Sequence, residues 1–95
     1  MPKVAVSSAK AKSTRFQLFA PQAKRVSVAG SFNNWDPKKV SAKKNTKGIW
    51  TVSVSLKPGR YEYKFFVDGS WVNDPKSPAA VYNSFGTQNS VVEIK

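Results

Sequence analysis

The chain has no cysteine and no histidine, and only five of its 95 residues are acidic. Without thiols there are no disulfide staples and no thiolate chemistry. Without imidazole there is no histidine base for a nucleophile, and the usual zinc ligand sets cannot be assembled. A metal site would have to be built from carboxylates, and neither a metal nor any other cofactor is expected. No apolar run reaches the length of a signal-peptide core or a membrane span, and the N-terminus MPKVAVSSAKAK is polar and cationic. The expectation is a soluble, cytoplasmic protein with no membrane partner. Nor does any segment carry the stripe of a long helix, and no internal repeat is present.

The scarcity of acids also bears on catalysis. Asp36, Asp68 and Asp74 each precede Pro or Gly, turn positions that side-chain to backbone hydrogen bonds explain without chemistry. Glu62 and Glu93 remain. Glycoside hydrolysis needs two facing carboxyl groups about 5–9.5 Å apart, and no pairing in the sequence points to such a cleft. The chain reads as non-catalytic, with no catalytic residues assigned.

What is present in excess is positive charge: 16 Lys and Arg against five acids give a net charge of +11. Such a field attracts nucleic acid, anionic membrane or acidic proteins. Much of it is concentrated in two places. Lys3, Lys10, Lys12 and Arg15 lie in an Ala/Ser-rich N-terminal stretch, and Lys38, Lys39, Lys43, Lys44 and Lys47 crowd one connection. Residues 1–14 show no sustained periodicity and are read as a flexible basic arm. Residues 15–95 suit one domain.

Within that domain the period is two. Phe16 and Leu18 alternate with Gln17, and Val26 and Val28 with Ser27. In IWTVSVSL, Trp50, Val52, Val54 and Leu56 share one face. In RYEYKFFV, Tyr61, Tyr63, Phe65 and Val67 oppose Arg60, Glu62, Lys64 and Phe66, and Asp68-Gly69 is a hairpin signal that sends Ser70–Val72 back to pair. A loop is expected from Asn73 to Asn89, followed by a strand in SVVEI. About seven short antiparallel strands with Gly/Pro turns predict an all-β, immunoglobulin-like sandwich.

The three tryptophans differ in context. Trp50 is in phase with a core face. Trp71 follows the hairpin turn, where half the positions face solvent. Trp35 sits among the turn formers of AGSFNNWDP, where a loop offers little room to bury an indole and display to a partner is favoured. Phe85, Thr87, Gln88 and Asn89 in NSFGTQNS add apolar and hydrogen-bonding groups, with Phe85 alternatively a plug for its own loop. Lys64 on the hairpin strand is either a solvated charge or a donor beside an indole. A pyranose stacks on aromatic rings while amides, hydroxyls and ammonium groups satisfy its rim. A nucleobase would stack as well, so the aromatic residues alone leave both ligands open.

The segments SFNNWDP, KPGRYEYKFFVDGSWVNDP and FGTQNSVVEI, in this order, resemble the family 48 carbohydrate-binding module. This is the glycogen-binding domain of the AMP-activated protein kinase β-subunit and of branching and debranching enzymes. The resemblance covers about Arg15 to Ile94. It implies binding of α-1,4-glucan, whether glycogen, starch or maltooligosaccharide. Trp35 and Trp71 would be the stacking residues, Lys64 the lysine that bonds sugar hydroxyls and Asn89 the amide that completes the site. Thr87 would support it, and Phe85 stands where the kinase-subunit version has an aliphatic residue that reaches into the glucan. A targeting or sensing role is expected. Two other readings stay open: a structural interaction module docking to a glycogen-metabolising enzyme or kinase without sugar, and a single-stranded nucleic-acid binder driven by the lysines.

Overall fold

The computed structural model describes residues 11–77 and 79–95. Among these there are eight strands and no helix: β1 (Lys12–Phe19), β2 (Val26–Gly30), β3 (Lys43–Lys44), β4 (Ile49–Leu56), β5 (Gly59–Val67), β6 (Ser70–Val72), β7 (Ala80–Tyr82) and β8 (Gln88–Ile94). The arm expected over residues 1–14 falls for the most part outside the described residues. Its last three positions, Lys12 to Thr14, pair with Leu56 to Val54 as the start of β1.

Period-two burial builds two antiparallel sheets. One has the order β1-β4-β3. The other runs β2-β5-β8-β7, with β6 also paired to β5. Phe16, Leu18, Trp50 and Leu56 from the first sheet meet Val26, Val28, Tyr63 and Phe65 from the second in one core, and the Phe16 ring lies edge-on to Tyr63 at 4.8 Å. Burying each large apolar side chain stabilises the sandwich by about 1.5–3 kcal/mol. Trp50 is 8% exposed, as its periodicity predicts, and its indole N–H is satisfied by the Ala20 carbonyl at 2.8 Å. The fold is the all-β, immunoglobulin-like sandwich.

Two elements depart from the sequence reading. The loop expected over Asn73–Asn89 contains β7, which pairs with the start of β8. The lysine-rich connection contains β3, on the edge of the first sheet. Strands of three and two residues are too short to show a period, and edge pairing needs only the backbone.

The central strand β5 positions everything that follows. β2 pairs with Tyr63–Val67 along one edge. On the other edge, β6 takes Phe65–Val67 and β8 takes Gly59–Tyr63. The two partners diverge at Lys64. The β5–β6 hairpin turns at Asp68 and Gly69, both with positive φ (47° and 87°), as a tight two-residue turn of this twist requires. The Asp68 carboxylate also accepts the backbone N–H groups of Lys24 and Arg25, tying the hairpin to the entry of β2.

Candidate functional site

Because Tyr63 and Phe65 point into the core, Glu62, Lys64 and Phe66 point outward from β5. Phe66 pairs with Trp71 on β6, and the rings pack at 4.7 Å with planes tilted by 54°. Trp71 is thereby supported from beneath while remaining 46% exposed.

Trp35 reaches the same face from the loop after β2. Gly30 starts that loop because its backbone passes against the Glu62 carbonyl and the Tyr63 side chain, where a Cβ would clash. Asn33 then organises the turn: its Oδ1 accepts the Gly30 N–H at 3.0 Å and its Nδ2 donates to the Val28 carbonyl at 3.2 Å. Asn34 and Trp35 both adopt positive φ, 57° and 56°. For an aromatic residue this is an uncommon, strained backbone state, held by its surroundings. Trp35 is half-buried rather than free-standing, its ring meeting Trp71 at 6.3 Å with planes 69° apart. The two indoles make an angled surface, not a flat shelf.

Polar groups complete a recess of about 770 Å³, lined by Ser31, Trp35, Glu62, Lys64, Trp71, Asn83, Phe85, Thr87 and Asn89. All six residues singled out in the sequence (Trp35, Lys64, Trp71, Phe85, Thr87 and Asn89) lie on it. Lys64 Nζ donates to Thr87 Oγ1 at 3.0 Å, which leaves further ammonium donors free. Thr87 Oγ1 also accepts from Asn83 Nδ2 at 2.7 Å. With two bonds accepted, its own hydroxyl proton remains available to an incoming acceptor. Phe85 is 89% exposed, so it does not plug its loop.

Asn89 is only 7% exposed. Its Nδ2 donates to Glu62 Oε1 at 3.0 Å and its Oδ1 accepts from Asn83 Nδ2 at 3.0 Å. It therefore presents less of itself to the recess than the sequence implied, and it orients Glu62. Sequence reasoning missed Asn83, Glu62 and Ser31 as parts of this surface. Asn83 Oδ1 also accepts the backbone N–H groups of Phe85 and Thr87, so one amide shapes the whole 83–87 turn. The Asn-Ser-Phe-Gly run signalled a turn, but not which residue ties it down. For Glu62 the signal is its alternation with Lys64, which places both on one face of β5.

Behind the recess, Tyr63 Oη donates to Asp74 Oδ2 at 2.6 Å and Ser90 Oγ accepts the Asp74 N–H at 2.9 Å. These bonds anchor the segment that leaves β6 just after Trp71. Burial, and then the Asp74 carboxylate, push the Tyr63 phenol well above its ordinary pKa of 10.0.

A family model described as the glycogen recognition site of AMP-activated protein kinase matches residues 13–95. Among curated proteins, 5'-AMP-activated protein kinase subunit beta-2 of Homo sapiens is 40% identical over 72 residues, covering 76% of this chain and 25% of the relative. Subunit beta-1 of Rattus norvegicus is 38% identical over 72 residues, with the same two coverages. The chain thus spans about a quarter of the length of the curated relatives it matches. From the match over residues 13–95, the chain belongs to the family of the glycogen recognition site of AMP-activated protein kinase.

Proposed function

We propose that this chain is a non-catalytic module that binds α-1,4-glucan on the outer face of its larger sheet, targeting or reporting on cytoplasmic glycogen or starch-like polymer. The observation that carries this reading is the convergence of two angled indoles with Lys64, Thr87 and Asn89 on one open recess. An α-1,4-linked chain curls, so successive glucose units present their apolar faces at an angle. Rings inclined by 69° suit that better than coplanar ones. Rigid aromatic rings also lose little side-chain entropy on binding. At the rim, Lys64 and Thr87 supply donors and Glu62 a charged acceptor, so sugar hydroxyls find both kinds of partner.

Catalysis finds no support in the carboxylates. Asp36 and Asp74 each accept the backbone N–H two residues on, and Asp68 accepts that of Arg25 at the entry of β2. The recess holds a single carboxylate, Glu62. Relatives named as kinase subunits favour a protein partner that is itself a kinase or a glycogen-metabolising enzyme.

Co-sedimentation with insoluble amylose at two salt concentrations tests the reading. Binding to a neutral polymer should survive the higher salt with little change. Single-stranded nucleic acid would instead be released steeply, with a log–log slope near −0.7 per phosphate contact. No sedimentation with amylose, beside salt-sensitive capture of an oligonucleotide, would overturn the glucan assignment.

A further inference from the structure

A neutral sugar gives no reason for a net charge of +11. Part of that charge borders a second recess, of about 870 Å³, beside the first. Phe66 lines it, and the same ring packs on Trp71 of the aromatic face. The Trp35 loop runs directly on into its rim at Pro37 and Lys38. Lys24, Arg25 and Lys38 stand around this rim, all exposed. The one carboxylate there, Asp68, is held by backbone N–H groups: Lys24 N at 3.0 and 3.2 Å and Arg25 N at 2.8 Å.

A second, independent feature lies in the same recess. Ser27 lines it and is 8% exposed. Among the described residues its hydroxyl has no hydrogen-bond partner, although its backbone is paired opposite Phe66. Buried hydroxyls are rarely left unpaired, because desolvation then goes uncompensated. A hydroxyl donor in a recess that three cationic side chains also line fits a ligand that only accepts hydrogen bonds and carries negative charge.

We propose that this recess is an anion subsite that takes a phosphate monoester carried by the α-glucan itself, on a glucose unit next to those stacked on Trp35 and Trp71. The proposal rests on the glucan reading above. The two recesses lie on either side of the packed Phe66–Trp71 pair, so a glucan stacked on Trp71 would bring its neighbouring glucose unit toward the second. A nucleic-acid strand fits less well, since its regularly spaced phosphates would also have to cross the carboxylate of Glu62 in the aromatic recess.

The test compares naturally phosphorylated amylopectin before and after phosphatase treatment, by affinity electrophoresis at low salt. Wild type should prefer the phosphorylated polymer about tenfold, the order expected for one charge-assisted contact. The preference should vanish in the Lys24→Ala/Arg25→Ala/Lys38→Ala variant and weaken in Ser27→Ala, while maltoheptaose affinity stays unchanged in both. Equal affinity for the two polymers, or a preference that persists in the triple variant, overturns the subsite. Amide shifts on titration with glucose 6-phosphate and with inorganic phosphate form a separate arm. Shifts at Ser27 and Arg25 with the sugar phosphate, lost in the triple variant, support the subsite even if dephosphorylated glucan fails to bind, an outcome that removes the glucan reading alone. Absence of those shifts overturns it, as does an oligonucleotide that binds more tightly than phosphorylated amylopectin through the same cations.

Discussion

The side-chain amide of Asn89 donates to the carboxylate of Glu62 across 3.0 Å while accepting from Asn83 on its other side. The three side chains form a relay that fixes the floor of the recess. Asn89→Ala leaves a partly buried carboxylate and a loop-tying amide each short of one partner.

Asn89→Ala is therefore expected to lower stability by about 1–3 kcal/mol, the cost of orphaning partly buried polar groups, as well as weakening maltoheptaose binding. Lys64→Ala removes an exposed donor whose partner Thr87 keeps its bond to Asn83. It should cost about 1 kcal/mol of binding and almost no stability. Urea denaturation and calorimetry on the two variants separate the roles. Equal stability of both variants would show that the relay has no structural share.

The contrast between Asn89 and Lys64 also shows what the sequence could convey. Period two placed Trp50 inward and Lys64 outward, and the Asp68-Gly69 pair marked the hairpin, because each signal is local and backbone geometry enforces it. The resemblance of SFNNW, YKFFVDGSW and FGTQN identified six residues that do share one recess. Burial of Asn89 was not legible, since it depends on Glu62 and Asn83, 27 and six residues away. The strands Ala80–Tyr82 and Lys43–Lys44 were hidden for a different reason: their pairing is carried by backbone groups with no apolar pattern to announce it. The positive φ of Trp35 is likewise set by Asn33 and Gly30, not by any property of tryptophan.

Trp50 provides the measure of the core. Trp50→Ala should destabilise the domain by about 3–5 kcal/mol, through loss of packing against both sheets and of the Nε1 bond to Ala20. Against a total of roughly 5–15 kcal/mol for a native protein, this is enough to unfold a weak domain. Thermal melts by circular dichroism check it, and a melt unchanged from wild type would contradict the core assignment.

Alkaline titration tests the Tyr63–Asp74 anchor. The folded state holds the Tyr63 phenol protonated above its ordinary value of 10.0. The corresponding stability is fully present below about pH 10 and is lost as the pH rises toward the folded-state pKa. Tyr63→Phe cannot ionise there, so its stability should fall less between about pH 9 and pH 11 than that of wild type. Parallel pH profiles for the two proteins would show that the phenol does not titrate with unfolding.

The most direct measurement is calorimetric titration of maltoheptaose into wild type and into the Trp35→Ala/Trp71→Ala variant, with the melt of each recorded alongside. Saturable binding by wild type is expected, with no detectable binding by a variant that still melts cooperatively near the wild-type temperature. A variant that binds as wild type does, or a wild type that does not bind at all, would contradict the claim that these two indoles receive the glucan.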